Sequence, residues 1–139
     1  MTTPQAILII GGMANIVISS LAGYMLLWIR MRDPQKPISR YAITTHTSAI
    51  INGVLLLGIS VAIPHTGFIN EINIGIAVAE TVAAFLSSVR NIHSWSLGMN
   101  DAIAEGTDTG RRIRALVNII HLFDSAAIMY GVARVALGI

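Results

Sequence analysis

Four apolar runs separated by short polar intervals dominate the chain, over approximately residues 6–29, 42–63, 72–89 and 115–137. A helix needs about 20 apolar residues to cross a hydrocarbon core, so each run predicts one transmembrane helix. No stretch is left over for a soluble domain. The expected architecture is all-α: a single integral membrane domain over residues 1–139, folded as an up-down bundle of four transmembrane helices. Chain breakers fall at the same boundaries. Asp33-Pro34 and Lys36-Pro37 end the first helix and stiffen its loop, and Pro64 with Gly67 marks a short turn between the second and third. The polar, glycine-containing stretch from Asp101 to Gly110 reads as a loop, with a lid as one role open to it.

Composition narrows the class. The chain of 139 residues is 54% hydrophobic and 12% charged, with mean hydropathy +0.70. Soluble domains carry roughly 25% charged residues, which argues against a soluble protein and for a lipid bilayer as the surroundings. The first run does not read as a signal peptide, because it lacks a basic leading segment and stays apolar as far as Trp28. With no cysteine, disulfides, thiolate metal sites and a cysteine nucleophile are excluded.

The net charge of +2 comes from basic loops and implies no nucleic-acid partner. Arg30, Arg32, Lys36 and Arg40 fill the first loop, and Arg111, Arg112 and Arg114 close the third. The second, around Pro64-His65-Thr66-Gly67, has no lysine or arginine. The positive-inside rule therefore predicts that the first and third loops are cytoplasmic and both termini outside, in an inner (plasma) membrane of bacterial type. Trp28 and Trp95 suit an interfacial aromatic belt. Arg134, near the far end of the fourth helix, is expected to snorkel to the interface.

Polar side chains inside the apolar runs are the candidate chemistry, since an intramembrane ionisable group is costly and marks a functional site by default. His46 leads them. Three roles are open to it: ligand of a metal or haem iron, general acid or base, or a hydrogen bond to a neighbouring helix. Asn52 falls roughly 120° around the helix from His46, so the two need not touch. Gly53 returns to the His46 face, where it would let a flat macrocycle or another helix come close. In the third helix Glu80, Ser87 and Asn91 share a face; the structural alternative for Glu80 is a neutral acid bonding a neighbouring helix. Arg90 and His93 sit toward the end of that helix, Arg90 as an anchor. In the fourth, His121 and Asp124, spaced i and i+3, are expected to form a carboxylate–histidine pair. In the first, Gly11, Asn15, Ser19 and Gly23 form a stripe at i, i+4 spacing that predicts close helix packing. No nucleophile elbow, phosphate-binding glycine loop or zinc-protease histidine pair occurs.

The stretch from His46 to Phe68, HTSAIINGVLLLGISVAIPHTGF, resembles the styrene oxide isomerases, small four-helix membrane proteins. The matching positions are His46, Thr47, Asn52, Gly53, Pro64, Gly67 and Phe68, and the match covers about one sixth of the chain. It is also similar to the hydroxylaminobenzene mutases, which share a His…Asn-Gly motif. The resemblance implies a homotrimer that binds haem b through His46, with Gly53 beside it. Ferric iron would act as a Lewis acid on the oxygen of a small apolar or aromatic epoxide, and Asn52 would help hold that substrate. Ring opening to a benzylic cation and a 1,2-hydride shift would give an aldehyde. A dry apolar pocket suits this chemistry, because water would capture the cation.

The chain departs from the family pattern at three positions. A tyrosine and an aspartate of the isomerases become Asn91 and Ala83 when the alignment runs ungapped from Phe68, and an acid of the mutases becomes Ser48. Asn91 can still donate a hydrogen bond, and Glu80, one turn before Ala83, is placed to compensate. Three functions follow as expectations. The first is a haem-assisted epoxide isomerase with His46, Asn52, Asn91 and Glu80 in its site and His121 with Asp124 supporting the pocket. The second is a rearrangement of hydroxylaminoarenes to aminophenols. The third is a non-catalytic haem-binding or assembly protein. Oligomerisation is expected under all three.

Overall fold

The computed structural model describes residues 1–35, 37–99 and 105–139. Its helices are α1 (Thr3–Arg32), α2 (Arg40–Ala62), α3 (Asn70–Ser96) and α4 (Asp108–Leu137), with one 3₁₀ turn (Ile63–His65) after α2. All four helices are long and apolar enough to cross a membrane, and the described residues contain no strand.

The helices outrun the apolar stretches at most of their ends because capping groups lie in the polar flanks. Thr2 and Gln5 cap the start of α1, the Thr2 backbone N–H donating to Gln5 Oε1 at 2.9 Å. The Ser39 hydroxyl receives the Tyr41 N–H at the start of α2, and the Thr107 hydroxyl receives the Gly110 N–H at the start of α4. As a result α4 begins seven residues before the apolar run, and Arg111, Arg112 and Arg114 lie on its first turns rather than closing a loop. α3 likewise continues through Arg90, Asn91 and His93 to Ser96, because Asn91 and Ser94 turn inward and are buried. Of the expected loop from Asp101 to Gly110, residues 101–104 lie outside the described residues and Asp108–Gly110 are helical. Lys36 also lies outside them.

Packing is closest between α1 and α2. Gln5 meets Ser60, Gly12 meets Gly53, and Ser19 meets His46. A methyl group on Gly12 would stand 2.9 Å from the Gly53 carbonyl oxygen, and one on Gly53 would stand 2.9 Å from the Gly12 carbonyl oxygen and 2.7 Å from Ile16 Cγ1. Small residues thus bring two backbones together where no hydrophobic drive separates helix from lipid. Gly53→Ala should cost about 1–3 kcal/mol, the usual price of overpacking, because the backbone it strikes cannot turn aside; unfolding in a graded detergent series checks this.

α3 packs on both α1 and α2. A methyl on Gly11 would meet Thr81, and Ser88 donates to Asn15 Oδ1 at 2.9 Å. The apolar core includes Leu8, Leu56, Ile63, Ile76 and Ile128. α4 sits apart, against α3 and the 3₁₀ turn. Gly131 is pressed to Thr66, and Arg134 donates to the Gly67 carbonyl at 3.2 Å. Gly67 itself has φ 67°, a left-handed conformation that closes the turn into α3. Leu116, Ile119, Leu122, Phe123, Met129 and Tyr130 of α4 are all exposed.

Candidate functional site

His46 is held by the stripe on α1. Its Nδ1 lies 2.8 Å from the Ser19 carbonyl oxygen and 3.0 Å from Ser19 Oγ. Ser19 Oγ in turn donates to the His46 carbonyl at 2.8 Å. A carbonyl only accepts, so Nδ1 carries the proton in the neutral ring and Nε2 keeps its lone pair. Gly23 makes the room: a methyl there would stand 3.0 Å from His46 Cε1 and 3.1 Å from Nδ1. The imidazole is half-buried, and Nε2 makes no hydrogen bond among the described residues. Ile43 and Ile50, three residues before and four after, flank it on the same helix surface and are 49% and 42% exposed.

Nδ1 fixed by a backbone carbonyl and Nε2 left open is the arrangement that orients a histidine toward a metal. Among the described residues no group of three or more histidine or carboxylate side chains is placed to hold an ion. A group that brings its other ligands, such as the haem implied by the resemblance, would need only this one nitrogen from the chain. The apolar flank of Ile43 and Ile50 suits a flat macrocycle. Gly53 does not offer such a face, because it is buried beneath Gly12 and Ile16 of α1; its missing side chain serves helix contact.

Asn52 and Ser48 occupy the opposite flank of α2, toward α3. Asn52 Nδ2 donates to the Ala84 carbonyl at 3.4 Å, and Asn91 Nδ2 donates to Ser48 Oγ at 2.7 Å. Arg90 donates to Asn91 Oδ1 at 3.2 Å, and Asn91 is only 1% exposed. Ser48 and Asn91, two positions at which the chain differs from the families its sequence resembles, are therefore hydrogen-bonded to each other.

Glu80 is turned elsewhere again. It is 0% exposed, and its Oε2 lies 2.5 Å from His121 Nδ1, joining α3 to α4. The expected pairing of His121 with Asp124 is replaced by this one, because a carboxylate on the facing helix comes within reach of the ring. Asp124 Oδ2, Glu80 Oε1 and Thr81 Oγ1 are buried without a hydrogen-bond partner among the described residues. Ala83 is wholly buried.

The structure thus brings Asn91 to Ser48 and Glu80 to His121. Among the described residues no hydrogen bond joins His46 to Asn52, Asn91 or Glu80. Sequence reasoning missed Ser19 and Gly23 as the residues that hold the imidazole. Their signal was the small-residue stripe, whose phase puts both on the α2 side of α1. Comparison of the chain with protein-family models, with curated proteins and with solved structures finds no match.

Proposed function

We propose that the protein is an integral membrane isomerase that opens a small apolar epoxide and rearranges it to a carbonyl compound with the help of a haem held by His46. The observation that carries this reading is the His46 geometry: Nδ1 bound to the Ser19 carbonyl at 2.8 Å, Nε2 free, and isoleucines on either side. The resemblance of residues 46–68 to styrene oxide isomerases supports it. When bound, ferric haem would supply a Lewis acid that polarises the epoxide oxygen.

The chain's own residues do the rest. Ser19 and Gly23 fix the imidazole plane and its tautomer. Asn52, which is only half-buried, offers its second amide N–H to the substrate oxygen, whereas Asn91, buried and bonded to Ser48 and Arg90, orders the seam behind it and does not reach the substrate. Apolar helix faces keep water from a carbocation formed as the C–O bond breaks, so hydride migration from the adjacent carbon closes the C=O bond with no external proton or electron. Glu80 and His121 hold α4 against α3.

His46 and the Asn52–Asn91 seam lie on opposite flanks of α2, which favours a site completed between copies, as in a homotrimer. The exposed apolar residues of α4 fit burial against lipid or a neighbouring copy. The helices are taken to cross the membrane up-down-up-down: rising positions on α1 meet falling ones on α2, as Gln5 with Ser60 and Ser19 with His46. The arginine-rich segments then face the cytoplasm and the termini the outside, by the positive-inside rule.

Product analysis on purified protein tests the reaction class. An aryl epoxide should yield the corresponding aldehyde, and a hydroxylaminoarene should emerge unchanged. Conversion of the hydroxylaminoarene alone would assign the mutase chemistry instead. Haem binding with no turnover of either would leave a haem-binding protein.

A further inference from the structure

Two arginines face each other across a small pocket where α3 ends and α4 begins. The pocket, about 70 Å³, is lined by Arg90, His93, Ser94 and Leu97 of the α3 end and by Thr107 and Arg114 at the start of α4. The Nε atoms of both Arg90 and Arg114 are buried and have no hydrogen-bond acceptor among the described residues. Among the described residues, the ion pairs are Arg111 with Asp108 and His121 with Glu80, so neither guanidinium is matched by a carboxylate. Buried donors on a cation are costly when unpaired, and two like charges at one pocket repel. A bound anion removes both costs.

We propose that this pocket binds a single phosphate-type oxyanion, with Arg90 and Arg114 as its principal ligands and His93 at its edge. The guanidinium fork matches the spacing of phosphate oxygens and gives paired, charge-assisted hydrogen bonds. The pocket has room for one tetrahedral group between the two arginines. The donors are the side chains and not the helix start alone, since the Gly110 N–H is already taken by the Thr107 hydroxyl.

Position points to where such an oxyanion is abundant. The C-terminal parts of α1 and α3 lie side by side, with Met25 and Trp95 sharing one groove. Arg30 and Arg32 therefore stand at the same end of the bundle as the pocket. On the reading that the helices cross a bilayer, this end lies at headgroup level in the leaflet that the positive-inside rule calls cytoplasmic. The same oxyanion chemistry is offered by an anionic lipid headgroup and by free phosphate.

The test uses the full chain in two media. In vesicles of phosphatidylcholine mixed with phosphatidylglycerol, native mass spectrometry should find phosphatidylglycerol retained in preference to phosphatidylcholine. Arg90→Gln or Arg114→Gln should weaken that retention about tenfold or more, the loss expected for a charge-assisted bond, while Arg112→Gln, on an exposed neighbour, leaves it unchanged. Added inorganic phosphate should compete with the lipid on the unaltered protein, an arm that needs no variant. Arg114→Lys, which keeps the charge but loses the fork, should retain partial binding if Arg114→Gln fails to fold. Stabilisation by inorganic phosphate in pure phosphatidylcholine, without lipid preference, assigns the site to a free oxyanion. Absence of both lipid preference and phosphate stabilisation overturns the proposal. Because none of these readouts involves turnover, failure here is separable from failure of the isomerase reading.

Discussion

His46→Ala is expected to reduce epoxide turnover by at least about 100-fold and to remove bound haem together with it, a larger effect than the 10–100-fold that follows loss of an outer-shell partner of a ligand. The fold should survive. The ring is half-buried, and its loss leaves the Gly12–Gly53 contact and the Asn15–Ser88 hydrogen bond in place. Ser19 keeps a backbone partner in this variant, because its Oγ donates to the carbonyl of residue 46 and not to the ring. A glycine at the same position opens a slot against Gly23 that imidazole can fill, so added imidazole should restore part of both haem binding and activity to His46→Gly. Rescue of this kind distinguishes a ligand from a residue that merely packs. Unchanged haem content and turnover in His46→Ala would refute the assignment.

The second large effect is on stability. Glu80→Ala should cost about 3–5 kcal/mol, the range for stripping one partner from a buried pair, because His121 Nδ1 loses the carboxylate that ties α4 to α3. The loss concentrates on α4, which packs mainly against α3 and the 3₁₀ turn among the described residues and is held at its far end by Gly131 on Thr66 and Arg134 on Gly67. Protease cleavage near Glu105–Thr107 should therefore accelerate in this variant before the remaining three helices unfold. Glu80→Gln keeps a hydrogen-bonding group at the same place and should lose less than half as much. It also separates two roles for the acid. If Glu80 positions α4, turnover in Glu80→Gln follows stability. If it touches the substrate, turnover collapses while the fold stays intact.

Run length made the four helices legible in the sequence, since few other arrangements accommodate such stretches of apolar residues. Their ends were less legible, because hydropathy marks the apolar slab while caps such as Thr107 and Ser39 lie beyond it. The small-residue stripe of α1 was readable as a packing surface, and the structure gives that surface its neighbours, Gly53 and His46 on one side and Thr81 and Ser88 on the other.

The side-chain partners were not readable, for a physical reason. Spacing along a helix gives the angle between two residues, as for His46 and Asn52, but not which helix lies at that angle. His121 illustrates the limit. Asp124 was the partner one turn away, but Glu80, 41 positions back in the chain, is the one the fold supplies. The contact between Ser48 and Asn91 was likewise invisible, because the two positions lie 43 residues apart on different helices.

The central claim of the proposed function is that His46 Nε2 would hold a haem iron. An absorption spectrum of the detergent-purified protein, oxidised and then reduced, tests it most directly, with haem added back where purification has stripped it. The account predicts a Soret band with the spectrum of a histidine-ligated b-type haem, shifting on reduction and absent from His46→Ala. A spectrum with no Soret band after reconstitution, or a band that His46→Ala leaves unaltered, would contradict it.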